Sequence, residues 1–218
     1  MRLNKAQRLL DSFIKPIMSS LDFYRVGLLD YGRKTNEAVG LIAFPCIQTT
    51  QYFSFNCHVA VYFGSLDYWL RDDDDRKELP MRGIVGIPIH LMRDGQKYCE
   101  WEFHDANDLE SHRDDIVADL QFLALPYIER FSRLTDLRKA AENPDASEPH
   151  TFGAEERITL LAAIRVVEGD SQGALEMLEM ALREREGKLP KYWFDIKHLR
   201  NKILASIGSS NVSVSAGC

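Results

Sequence analysis

Apolar and polar side chains alternate without a break from residue 51 to residue 63. Phe53, Phe55, Cys57, Val59, Val61 and Phe63 fall on one side, and Tyr52, Ser54, Asn56, His58, Ala60 and Tyr62 on the other. A period of two over that length predicts a β-strand with one face on a core. Strand character recurs at 23–32 ("FYRVGLLDYG"), 38–48 ("AVGLIAFPCIQ"), 81–92 ("MRGIVGIPIHLM") and 97–104 ("KYCEWEFH"). Polar turns at 34–37 and 93–96 separate some of these runs. Pro88 has no N–H to give a ladder, so its strand is expected at an edge or at a bulge. Five strands joined by short connections read as an antiparallel meander.

Elsewhere the period is that of a helix. Leu9, Leu10, Phe13, Ile14, Ile17, Met18 and Leu21 predict an amphipathic first helix, perturbed at Pro16. From about residue 108, Leu109, Ile116, Leu120, Leu123, Tyr127, Phe131 and Leu134 form one apolar stripe, with a kink or break expected at Pro126. Three further helical patterns follow, at about 154–168, 171–186 and 191–207. The expected fold is α+β: an antiparallel meander of about five strands, covered on one face by helices, then a helical hairpin plus one more helix. The expected divisions are a sheet domain over 1–142, a linker over 143–153, a helical appendage over 154–208 and a disordered tail over 209–218.

Charge narrows the functional classes. Among 218 residues, 33 Asp and Glu outweigh 27 Lys and Arg, for a net charge of -6. That balance argues against a nucleic-acid partner, which needs a basic surface for phosphates. A protein partner is expected instead, and an acidic chain suits a basic one. Cys46, Cys57, Cys99 and Cys218 show no CxxC spacing and read as reduced thiols in a cytoplasmic protein. No secretion leader and no apolar run long enough to cross a membrane is apparent, so no membrane association is expected.

Two stretches carry a family resemblance. "FNCHVAVYF" is an apolar strand with Asn56 near its middle, and "LALPYIERFSRLTDLRKAAE" includes Leu125, Pro126, Tyr127 and Phe131. With the order helix, meander, helix over residues 1–142, they resemble a bacterial family known only as a domain of unknown function. Some of its relatives are thought to sit beside toxin genes as immunity proteins. The resemblance implies that role and supplies no catalytic residue. "GDSQGALEMLEMALRERE" in turn resembles the second helix of a tetratricopeptide hairpin, with Gly169-Asp170 as the turn and Ala174, Leu178 and Ala181 at the helix contact. One hairpin plus a helix is short of the repeats such a stack needs, so docking on other structure is expected.

Candidate chemistry gathers on the polar side of the strands. Glu100, Glu102 and His104 share one face of their strand, His90 is expected on the neighbouring one, and Asn56 and His58 on the long strand. Cross-strand neighbours lie about 5 Å apart, so such a set could bind a metal or move protons. An antiparallel sheet also ordinarily leaves one polar face in water. In "HDANDLESH", Asn107 and Glu110 fit a helix capping box, with Asp105 and Asp108 at the helix start. His112 lies four residues after Asp108 but also borders the apolar stripe, where a structural role is expected.

Asp72, Asp73, Asp74 and Asp75 read as a solvated or partner-facing acidic loop without the spacing of a calcium site. Tyr192, Trp193 and Phe194 open the last helix as packing or contact aromatics. There is no GxSxG, HExxH, P-loop or dinucleotide fingerprint, so neither a metal nor a cofactor is expected. The functional expectation is a non-enzymatic cytoplasmic interaction protein, of immunity or accessory type. The alternatives are a small metal-dependent or acid–base hydrolase using the polar face, and a sensor enclosing a small molecule beside Tyr52, Tyr62 or Tyr98.

Overall fold

In the computed structural model, residues 3–72, 83–95, 98–143, 154–184 and 190–215 are described. Their strands are Tyr24–Arg25 (β1), Asp30–Lys34 (β2), Val39–Ala43 (β3), Cys46–Gln48 (β4), Phe53–Phe55 (β5), His58–Tyr62 (β6), Val85–Pro88 (β7) and Trp101–Phe103 (β8). The helices are Leu3–Ser20 (α1), Gly64–Leu70 (α2), Ala106–Ser111 (α3), Arg113–Asp119 (α4), Leu125–Arg130 (α5), Leu134–Glu142 (α6), Ala154–Val167 (α7), Ser171–Glu184 (α8) and Pro190–Ser215 (α9). Ile89–Met92 is a 3-10 turn and Leu120–Ala124 a π turn. The fold is α+β, with an antiparallel five-stranded sheet and helices after it.

Pro45 explains the main departure from the expected meander. β3 pairs with β6 and β4 with β5. Ala43 opposite His58 and Cys46 opposite Phe55 belong to one unshifted register, so the two pairs are halves of a single bent hairpin. Asn56 donates its N–H to the Pro45 carbonyl at 3.4 Å. Pro45 cannot return the bond, and the ladder lapses there. The continuous strand expected over 51–63 is therefore two strands in two sheets. One sheet has the order β1-β2-β3-β6-β7, and the other β4-β5-β8. β7, with Pro88, is an edge strand as expected. β8 does not neighbour β7; it pairs with β5.

The first compact unit comprises Met1–Tyr62, Gly83–Asp136 and Ala146–Thr151. Its core face carries Tyr31, Ile42, Val59, Val61, Val85 and Ile87, all buried. Ile128 of α5 lies directly over Gly40, where any side chain would collide with it. α1 contains Pro16 on its exposed side, and Ala6, Leu10, Phe13, Ile14, Ile17 and Met18 are buried. The long helix expected after residue 108 is broken into α3, α4, the π turn and α5. Leu125 N–H reaches back to the Leu120 carbonyl, one residue further than in an α-helix. That widened turn stands immediately before Pro126, which lacks the N–H an α-turn would use.

The second unit comprises Phe63–Arg82, Leu137–Asp145 and Phe152–Cys218. It is thus more than the 154–208 segment, because α2 and most of α6 belong to it. Gly169, at φ +91°, turns the chain between α7 and α8, a conformation that favours glycine. Asp170 then caps α8 by accepting from Gly173 N–H at 2.9 Å. Ala174, Leu178 and Ala181 are buried along α8. α2 holds a buried ion pair, Asp67 with Arg71 at 2.7 Å. Lys202 of α9 donates to the Tyr68 carbonyl and, at 3.0 Å, to that of Arg71, and its ammonium lies over the Tyr68 ring. A lysine there satisfies carbonyls that a helix end leaves bare. α9 runs on to Ser215, past Ile207 and into the segment expected to be disordered. Once nucleated, a helix gains one backbone bond per added residue. No helix among the described residues is long and apolar enough to cross a membrane.

Candidate functional site at the junction of two strand ends

β7 and β8 share one side of the bent hairpin, end to end. Ser54 lies opposite Glu102 on β8, and His58 opposite Pro88 on β7. Ile89 N–H bonds the Cys57 carbonyl at 2.8 Å, which carries the β6–β7 register one residue further. His90 comes next on that side, within the 3-10 turn Ile89–Met92. Glu100 directly precedes β8, as Asn56 directly follows β5. Asn56 therefore stands at the gap between two strand ends.

The side chains form two groups around that gap. His90 is buried, 8% exposed, and its ring centroid lies 5.0 Å from that of Tyr98. Tyr98 is 64% exposed and donates its hydroxyl to Glu100. The charge of Glu102, and after it that of Glu100, pushes the Tyr52 phenol above the ordinary value. Burial, and secondarily the His90 imidazole, pull His58 below the usual histidine value. His104 turns from the carboxylates of its own strand. Its Nδ1 lies 3.1 Å from Asp108, and its backbone N–H donates to the same carboxylate at 2.7 Å. Those two bonds hold Asp108 below the ordinary carboxylate value.

Two atoms at the gap have no partner among the described residues. They are Asn56 Oδ1 and His90 Nδ1, both buried. Buried polar atoms are ordinarily paired, because desolvating one without a bond costs about 1–3 kcal/mol.

Other expectations resolve differently. The N-cap of α3 is Asp105, not Asn107: its carboxylate accepts from Asn107 N–H at 2.8 Å and Asp108 N–H at 3.2 Å. The helix begins earlier than the expected box, so Asn107 is already inside it. His112 Nε2 lies 3.0 Å from the Glu102 carbonyl and ties α4 to β8 rather than pairing with Asp108. Asp72 is exposed and lies 2.7 Å from His198. Asp73, Asp74 and Asp75 lie outside the described residues, as do the side chains of Tyr192, Trp193 and Phe194. No group of three or more His, Cys, Asp or Glu is arranged to hold a metal ion among the described residues.

Periodicity and spacing do not point to two further features. Arg93 grips Asp119 with both ends of its fork, at 3.0 Å from Nε and 2.5 Å from Nη2. Its remaining Nη1 lies 3.0 Å from Cys99 Sγ, and the guanidinium sits over Trp101. The signal was an acid on the apolar stripe, three residues after Ile116 and one before Leu120. The second feature is the β1 edge. Tyr24, Val26 and Leu28 are exposed, and Tyr24 and Val26 both lie over Gly32. Next to them Leu29 is held at φ +66°, an uncommon conformation for a bulky residue. Its signal was plain alternation within 23–32. No protein-family model matches the chain, and neither does any curated protein or solved structure.

Proposed function

We propose that the chain is a non-enzymatic interaction protein of the cytoplasm, and that the β1 edge receives a protein partner. The supporting observation is the exposed row Tyr24, Val26 and Leu28 at the open end of the five-stranded sheet. Tyr24 on the edge strand and Val26 and Leu28 in the turn after it form an apolar group that is costly to leave in water and invites contact with another chain. Leu29, strained beside them, fits a loop shaped for a contact. The immunity or accessory form of this role rests on the family resemblance and names a toxin-like protein as the partner.

The hydrolase reading is less well supported. Glu100 accepts from a tyrosine hydroxyl rather than an imidazole, and His104 pairs with an exposed Asp108. General acid–base work needs a carboxylate and an imidazole free to exchange protons with a substrate.

The test is in-cell crosslinking of the intact protein beside the triple variant Tyr24→Ser, Val26→Thr, Leu28→Ser. The expected result is a crosslinked adduct that the variant loses while its melting temperature is kept. An adduct retained in full by the folded variant would remove the β1 edge as the contact surface.

A further inference from the structure

We propose that the face around Asn56 is a binding site for an organic cation, an alkylammonium or guanidinium group, formed by Tyr52, Tyr98, Glu100, Glu102, Asn56 and His90. The inference is independent of the β1 edge and of the interaction reading. Two carboxylates reach this face: Glu100 accepts from the Tyr98 hydroxyl, and Glu102 lies close enough to Tyr52 to raise its phenol. The charge of Arg93, on the segment before them, is neutralised by its own pair with Asp119. An anion is therefore repelled. A metal ion finds no group of three ligands among the described residues. An uncharged apolar ligand would leave the orphan atoms as they are.

A cation with N–H groups answers each feature. It donates charge-assisted hydrogen bonds to Glu100 and Glu102. Its charge rests against the faces of Tyr52 and Tyr98. Asn56 Oδ1 accepts a further bond, and so does His90 Nδ1 in the neutral tautomer that leaves it bare. These two atoms are the independent sign of a ligand, since both are buried and without a partner among the described residues. His90 is covered by the exposed Tyr98 ring, so displacement of that ring opens the acceptors to the bound group.

The shared chemistry has two sources, a free amine or a basic side chain of a peptide. The experiment titrates the intact chain with butylammonium chloride and, separately, with the blocked peptide Gly-Lys-Gly, followed by amide NMR against sodium chloride at equal ionic strength. Saturable shifts at the Asn56 side-chain amide and at residues 98–102 are expected. The double variant Glu100→Gln, Glu102→Gln should weaken them by about tenfold, as loss of charged hydrogen bonds would. Binding of butylammonium without the peptide supports the site and assigns it to a free amine, whereas binding of both assigns it to a side chain. Shifts that sodium reproduces, that do not saturate, or that the double variant retains unchanged overturn the proposal. If the double variant fails to fold, Asn56→Leu decides, because it removes one acceptor and leaves both carboxylates. Unchanged affinity in Asn56→Leu overturns the proposal.

Discussion

Arg93 with Asp119 and Asn56 with His90 are two polar insertions into the same unit, yet only one is complete. Arg93 and Asp119 satisfy each other through a bidentate pair, and Trp101 and Cys99 occupy the rest of the guanidinium. Asn56 and His90 leave Oδ1 and Nδ1 unbonded. The first arrangement has the form of a structural tie between the segment after β7 and the end of α4. The second leaves two buried polar atoms without a partner among the described residues, which costs stability.

The comparison is broken most severely at the completed pair. Asp119→Ala leaves the Arg93 charge partly buried and alone. A loss of about 3–5 kcal/mol is expected, read as a lower denaturant midpoint. A loss under about 1 kcal/mol would reduce the pair to a surface contact of the kind that contributes little.

A smaller effect follows from pH on the incomplete side. His58 is held below its ordinary value near 6.5 by burial and by His90. Around pH 6 the unfolded chain therefore binds more protons than the folded one, so stability rises with pH. The contribution is intact above 6.5 and is lost as pH falls below it. Urea midpoints at pH 7.5 and 5.5 should separate more in the parent protein than in His58→Asn. Asp108, held below the ordinary carboxylate range, does not titrate in that window. An equal separation in both proteins would place the proton uptake elsewhere.

Much of the local structure was legible in the chain. The apolar side of the alternation through 51–63 holds, with Phe53, Phe55, Cys57, Val59, Val61 and Phe63 all buried, while Ser54 on the other side is buried too. Gly169 and Asp170 marked their turn, and Pro88 marked its edge. The break at Pro45 was legible by the same rule as Pro88, since neither can donate to a ladder. The partner of β8 was not. Pairing Phe53 with Phe103 joins residues far apart in sequence, and nothing local distinguishes β5 from β7 as the neighbour. The recruitment of α2 into the helical unit was equally hidden. It depends on Leu66 being buried and on Lys202 closing the helix end, and both are settled by tertiary packing. Of the expected polar face, Glu102 and His58 lie on strands, whereas His90 falls in the 3-10 turn and Asn56, Glu100 and His104 lie just outside strand ends, a grouping set by long-range register.

The most direct test sets His90→Leu beside Asp119→Ala in one denaturation experiment. If His90 is an unpaired group kept for a ligand, replacing it by an apolar side chain leaves the midpoint unchanged or raises it, within about 1 kcal/mol, while Asp119→Ala collapses it. A fall in His90→Leu as large as that in Asp119→Ala would contradict the account, because His90 would then be part of the scaffold.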